Sequence, residues 1–412
     1  MTFWRNQTRT FFFVLYFAFL VTLSLVYSCS SRTRILHFKD YFKPFDCIYR
    51  NDIPITRLFD YEMPYVSYNW TFDLSMHWNY SAAVIYIDRL VKIPRVSTLS
   101  NYMSQMSNLK ITLSEFPSVF LTYECTLVKN NIFYHLSSQC QSDHKTVPQE
   151  FAGSFKSVLA LCHSPMKNYA HFTFDVFCFL LYIPSNILET SVLASKHASL
   201  FSSEALKLLK IPRALVIKKN QYIFAEKAYS FIPHPCDSQY VHSLYRLRDF
   251  IKSVYGLDDE NPEIMAFFNR DNSRHIENMK GIYKMAKRKY PQFKIIRETP
   301  NYKTYKENCQ VYNKVLILFT PHGAGCVNLI FMQPKTVFCE IQSDLSKFAF
   351  YNIALQFNIF HVLCRIPDLP HFPTGAKPLL METAMKMLEV AVGFVKNDFP
   401  PEYQADMPVF LK

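Results

Sequence analysis

The second half of the chain alternates short apolar runs with stretches in which apolar residues recur every three or four positions. Ile264-Met-Ala-Phe-Phe268 reads as a buried strand, followed by a polar loop over Asn269 to Arg274. Ile276, Met279, Ile282, Tyr283 and Ala286 then fall at helical spacing, and Phe293-Lys-Ile-Ile296 predicts the next strand. Val315-Leu-Ile-Leu-Phe319, a loop, a short helix around Cys326 to Met332 and a strand over Thr336 to Ile341 continue the series. A helix over His242 to Tyr255, stopped by Gly256, precedes it. Strand and helix in regular succession predict an α/β fold with a parallel sheet and crossover helices.

Elsewhere the pattern is less regular. Phe174 to Tyr182 is apolar throughout and reads as a buried helix; Ala214-Leu-Val-Ile217 and Tyr222-Ile-Phe224 read as strands about a polar turn. Residues 232–240, with Pro233, Pro235 and Asp237, read as a linker. Near the C-terminus Leu380, Ala384, Met387, Ala391 and Phe394 make one apolar stripe on a final helix. Glu382, Lys386, Glu389 and Lys396 cover much of its remaining surface. Residues 28 to about 100 mix apolar runs with prolines and read as a stem merging into the first domain. A length of 412 residues suits two domains plus an anchor.

Phe11 to Tyr27 is uncharged, with Arg5 and Arg9 before it and Arg32 and Arg34 after it. As a helix it would span about 26 Å, close to the roughly 27 Å hydrocarbon core of an early secretory membrane. A cleaved signal peptide is the rival, since Ser28-Cys29-Ser30 offers small residues at a cleavage position. Asn69-Trp-Thr71 and Asn79-Tyr-Ser81 are glycosylation acceptor triplets. Together these predict a type II membrane protein of the Golgi or endoplasmic reticulum, with a short cytoplasmic tail and all else lumenal. None of the eleven cysteines forms a C-x-x-C pair. In an oxidising lumen some are expected to form disulfides, whereas Cys178 and Cys339, in apolar runs, read as buried thiols. The net charge of +12 is spread along the chain among many acids, so it predicts a basic surface and no nucleic-acid partner.

The chain has only seven glycines, and two stand in Pro321-His322-Gly323-Ala324-Gly325-Cys326-Val327-Asn328, between a buried strand and a helix start. In an open α/β sheet this is where phosphate binds, because the loop at the strand's carboxyl end meets unpaired N–H groups of a helix N-terminus. Glycine lets the backbone approach a pyrophosphate. His322 is positioned to donate to a phosphate oxygen, Asn328 to orient loop or ligand, and Glu340, on the next strand, to accept from ribose hydroxyls. Asn328 stands where a dinucleotide fingerprint would have its third glycine, which argues against NAD or FAD. There is no Asp-x-Asp, G-x-S-x-G, H-E-x-x-H or Walker A motif.

Residues 315–341, VLILFTPHGAGCVNLIFMQPKTVFCEI, resemble the segment typical of glycosyltransferase family 61: a histidine-glycine-alanine-glycine loop, an asparagine helix and a strand ending in glutamate. MAFFNRDNSR, Met265 to Arg274, is similar to the family's strand with an asparagine-arginine pair and a second arginine. Asn168-Tyr-Ala-His171-Phe-Thr-Phe-Asp175 is similar to its histidine-aromatic-x-x-aspartate helix. The three matches keep the family's order and cover roughly residues 160 to 345. The resemblance implies a GT-B-like pair of Rossmann-type domains and inverting transfer from a nucleotide sugar, most often UDP-linked, to a glycan or glycoprotein.

It further implies a donor site of Arg270, Asn272, Arg274, His322, Gly323, Ala324, Gly325, Asn328 and Glu340. The two arginines and the helix N-terminus would carry the leaving-group charge with no metal and no cofactor. His171 and Asp175, four apart on one helix face, are the catalytic pair, with either as the base and the other orienting it. The implied organisation is a tail over 1–10, an anchor helix over 11–27, and stem and start of the acceptor domain over 28–100. The acceptor-side domain follows at 101–235, the nucleotide-sugar domain at 236–365 and a C-terminal helical segment at 366–412. An inactive lumenal nucleotide- or glycan-binding relative on the same scaffold is the alternative.

Overall fold

The computed structural model describes residues 68–73, 84–86, 110–129, 132–134, 148–162, 164–195, 199–232, 241–271, 273–298, 304–343, 349–366, 369 and 376–396. The anchor candidate over 11–27, Asn79, Asn272 and all but the first residue of the 232–240 linker lie outside these residues. Among the described residues no helix is long and apolar enough to cross a membrane.

The alternation in the second half produces a six-stranded sheet. Its order is Lys294–Glu298, Ile264–Phe268, Val315–Pro321, Val337–Gln342, Phe360–Arg365 and Val84–Tyr86, and every adjacent pair is parallel. The apolar runs are continuous because both faces of this sheet are buried. Ile264, Ala266 and Phe268 point into one core, while Met265 and Phe267 point into another. The second core lies under helices Met279–Lys289 and Met381–Lys396, the latter carrying the stripe of Ala384, Met387, Ala391 and Phe394. The Val84–Tyr86 edge strand comes from the segment read as stem, so that segment contributes to this sheet as well.

Several local differences have simple causes. Ile276 fits the helical spacing, yet it pairs as a short His275–Ile276 strand with Ala376–Lys377, and the helix begins at Met279. The predicted helix at Cys326 is a 3-10 helix over Ala324–Phe331, starting two residues earlier. Helix Tyr305–Tyr312 follows a capping box in which Thr304 and Glu307 satisfy each other's backbone N–H groups. Helix Val241–Tyr255 ends as expected at Gly256, whose φ of 60° is the left-handed conformation that glycine adopts without steric cost.

The first sheet is mixed. Lys110–Thr122 runs antiparallel to Gln221–Ile232, while Glu150–Leu159, Val192–Ser195 and Ala214–Val216 continue the sheet in parallel. Tyr68–Asp73 lies antiparallel on Lys110–Thr122, and a disulfide joins Cys125 to Cys162. Cys178 and Cys339 are buried free thiols, as their apolar settings predict. Between the two sheets lies a helix from Tyr169 to Leu180 whose middle, Thr173–Phe177, widens into a π turn. One apolar cluster runs without interruption from Leu113 and Phe231 through Phe172 and Phe177 to Ala266, Leu318 and Phe338. The two sheets therefore share a core.

Candidate functional site

After the Val84–Tyr86 edge strand, chain order in the parallel sheet passes to Ile264–Phe268, moves to Lys294–Glu298 on one side, then crosses back to Val315–Pro321 on the other. The reversal falls between the carboxyl ends of Ile264–Phe268 and Val315–Pro321, the position where such sheets bind ligands. Two loops flank it. In the first, Asn269 closes residues 269–276 into a tight unit: its side chain donates to the Ile276 carbonyl at 2.8 Å and accepts from the Ile276 N–H at 3.0 Å. Arg270 donates from Nε to the Ser273 carbonyl at 2.8 Å and from Nη2 to the Ser273 hydroxyl at 3.0 Å. Arg274 adopts a left-handed φ of 58°, is buried, and donates to the His322 carbonyl at 3.2 Å. Burial, and then the like charge of Arg270, pull the Arg274 guanidinium below its ordinary pKa. Two neighbouring cations, one buried and one partly buried, favour an anion beside them.

The second loop is His322 to Gly325. The His322 N–H donates to the Ile341 carbonyl at 2.8 Å, extending the sheet by one bond. Gly323 is extended, with φ 172°, so main-chain conformation does not call for glycine here. Space does: a Cβ on Gly323 would lie 1.6 Å from Nη1 of Arg270. The glycine lets the Arg270 side chain cross over the loop. Among the described residues, a Cβ at Gly325 would meet only the Tyr312 hydroxyl, 4.0 Å away.

Glu340 departs from its expected ribose contact. It is fully buried, and its two oxygens accept from His322 Nδ1 at 2.5 Å and His361 Nε2 at 3.0 Å. Burial alone would raise the carboxyl's pKa, but the two imidazoles outweigh it and hold the group at about 2. Glu340 thus turns His322 so that only its Nε2 edge remains for a ligand. Phe350 packs on the His322 ring at 5.1 Å and on Phe174, of the intervening helix, at 6.2 Å.

That helix carries the other predicted residues. Asn168 caps its start by accepting from the Ala170 N–H. His171 Nδ1 lies 3.0 Å from Asp175 Oδ2; the Asp175 side chain is 1% exposed and that of His171 26%. The aspartate is therefore the buried member and the histidine the accessible one. Tyr169 donates to Asn328 Oδ1 at 2.7 Å and accepts from Asn308 at 3.0 Å. Thr173 donates to the Tyr169 carbonyl and accepts from the Tyr305 hydroxyl at 2.8 Å. These bonds fasten the His171 helix both to the helix that follows the glycine loop and to helix Tyr305–Tyr312.

The family model Glycosyltransferase 61 matches residues 169–339, opening on this helix and closing one residue before Glu340. This region belongs to glycosyltransferase family 61. The match supports glycosyltransferase activity in general, and the family implies a nucleotide-sugar donor and a glycan acceptor. No curated protein matches the sequence significantly. The matched span takes in His171, Asp175, Arg270, Asn272, Arg274, His322, Gly323, Ala324, Gly325 and Asn328.

The structure brings Arg270, Arg274, His322, Gly323 and Glu340 together, and links the His171–Asp175 pair to them through Tyr169 and Asn328. Asn328 is buried and accepts from Tyr169; Asn69 is exposed on its strand and accepts from Ser114 at 2.6 Å. Among the described residues no three His, Cys, Asp or Glu side chains are grouped to hold a metal ion. Sequence reasoning missed His361, Tyr169 and Asn308. His361 had a signal, a histidine inside the apolar run Phe360-His-Val-Leu-Cys364; the other two are recognisable only through their contacts.

Proposed function

We propose that the chain moves a sugar from a UDP-linked donor to a hydroxyl of a glycan or glycoprotein, inverting the anomeric centre without a metal ion. The observation that carries this reading is the cation pair Arg270 and Arg274 held beside Gly323 at the sheet's switch point. A diphosphate there would receive the guanidinium donors and the free N–H groups of Ala324 and Gly325. His171 is the base and Asp175 its anchor. The aspartate oxygen takes the hydrogen on Nδ1, which puts the ring's lone pair on Nε2. The acceptor oxygen attacks the anomeric carbon as its proton passes to Nε2. The bond from that carbon to the UDP oxygen breaks, and the two arginines and loop N–H groups meet the departing negative charge.

The proposal includes a GT-B-like relation between the two halves and a lumen-facing location behind the Phe11 to Tyr27 anchor. The Cys125–Cys162 disulfide supports an oxidising compartment. The experiment is a screen of the full-length protein against UDP-sugars, reading UDP release and product anomer. His171→Ala should abolish transfer while leaving UDP affinity within a few-fold of wild type. Transfer that survives in His171→Ala, or a product of retained configuration, would overturn the reading.

A further inference from the structure

A carboxylate that merely tethered His322 would need one oxygen, and Glu340 has both engaged. The second oxygen accepts from His361, which is fully buried in the neighbouring Phe360–Arg365 strand and cannot reach a ligand. Its ring stacks on Phe338, its register partner in the adjacent strand, with centroids 4.8 Å apart. A carboxylate oxygen only accepts, so the nitrogens facing it, His322 Nδ1 and His361 Nε2, both carry hydrogens. With one imidazole on each oxygen, the carboxylate is pinned in plane and aimed at His322. Without His361, Oε2 would be a buried acceptor with no donor, free to swing away and take the His322 ring with it.

We infer that His361 is a positioning residue: acting through Glu340, it holds His322 with Nδ1 inward and Nε2 presented at the glycine loop. The inference rests on the donor-site reading above for its effect on catalysis, but its structural content is independent of that reading. His322 is the only member of the chain His361–Glu340–His322 with a partly exposed side chain, at 13%. The line therefore runs from the core to the surface where the loop begins.

The test uses the full-length protein. His361→Phe keeps a flat ring on Phe338 and removes the donated hydrogen; His361→Gln keeps a donor. The transfer rate of His361→Phe should fall about 10- to 100-fold, the range for partners one step behind a ligand-contacting group, with His361→Gln recovering most of it. Combined with Glu340→Gln, His361→Phe should add no further loss, because both act through one contact. The imidazole 15N shifts of His322 should change from a single Nδ1–H form to a tautomer mixture in His361→Phe. If that variant does not fold, His361→Asn, whose amide stops short of Oε2, carries the same expectation. Unchanged 15N shifts at His322, or losses that multiply with Glu340→Gln, would overturn the role. A wild-type protein that neither binds UDP nor transfers sugar would sink the donor-site reading instead, while the shifts would still decide what His361 does.

Discussion

Replacing Gly323 by alanine is the smallest change that tests how the donor site is built. The new methyl would sit 1.6 Å from Arg270 Nη1 and 2.8 Å from its Cζ. Ordinary carbon contact begins at about 3.5 Å, so the guanidinium must retreat by about 2 Å and give up its two bonds to Ser273. The backbone itself can accept alanine, since φ at this position is 172°. The damage should therefore be confined to Arg270. A misplacement of this size at a charge-stabilising group costs roughly 100-fold or more in rate, about 3 kcal/mol of barrier. The assay is initial-rate sugar transfer beside UDP titration calorimetry, with the melting temperature as a check on the fold. Gly323→Ala should behave like Arg270→Ala, and the double variant should be no worse than either alone. Gly325→Ala, with 4.0 Å to its nearest neighbour, should leave the free protein's stability unchanged and weaken UDP binding only. Full activity in Gly323→Ala, or losses that multiply with Arg270→Ala, would refute the claim that glycine is needed there to seat the arginine.

Four further outcomes are expected. Arg270→Lys should recover only part of the rate lost in Arg270→Ala, because an ammonium cannot span two phosphate oxygens; EDTA should leave the wild-type rate unchanged, and activity lost in EDTA and restored by manganese would count against the arginine account. Removing the Cys125–Cys162 disulfide by paired alanine substitution should cost about 2–4 kcal/mol, since it frees a loop with 37 residues of sequence separation; an unchanged denaturant midpoint would contradict this. Glu340 has a folded pKa depressed from 4.5 to about 2, so its contribution to stability is present above about pH 4.5 and is lost as pH falls toward 2. Wild type should therefore lose more stability than Glu340→Gln across that window, and parallel acid-denaturation curves would argue against the imidazole contacts.

The nucleotide-binding half was largely legible because a two-sided parallel sheet writes each strand as an unbroken apolar run. Ile264 to Phe268 was read with its observed bounds, and the loops after it and after Pro321 were placed where the arginines and glycines meet. The first sheet was harder. Its long strands Lys110–Thr122 and Gln221–Ile232 mix polar and apolar residues on faces of unequal burial, so no single period marks them. Glu340 was located correctly and given the wrong partner. A glutamate at a strand end looks the same whether it faces a ribose or two imidazoles, and His361 lies 21 residues further along the chain. Gly323 was expected to make room for a phosphate; the nearest group it makes room for is a side chain from another loop. Tyr169 offered no pattern because its partners, Asn308 and Asn328, lie well over one hundred residues away.

The apolar cluster that passes from the first sheet, through the Tyr169 to Leu180 helix, into the near face of the second bears on how the enzyme can move and be dissected. A hinge that swings one sheet away from the other would expose Phe172, Phe177 and Tyr305 to water, a cost that movement of the loops alone avoids. For the same reason the halves should melt in one cooperative transition. A fragment cut after Ile232 would present its helix face as bare hydrocarbon, and the family-matched span 169–339, taken alone, would lack the strands that cover that face on the other side.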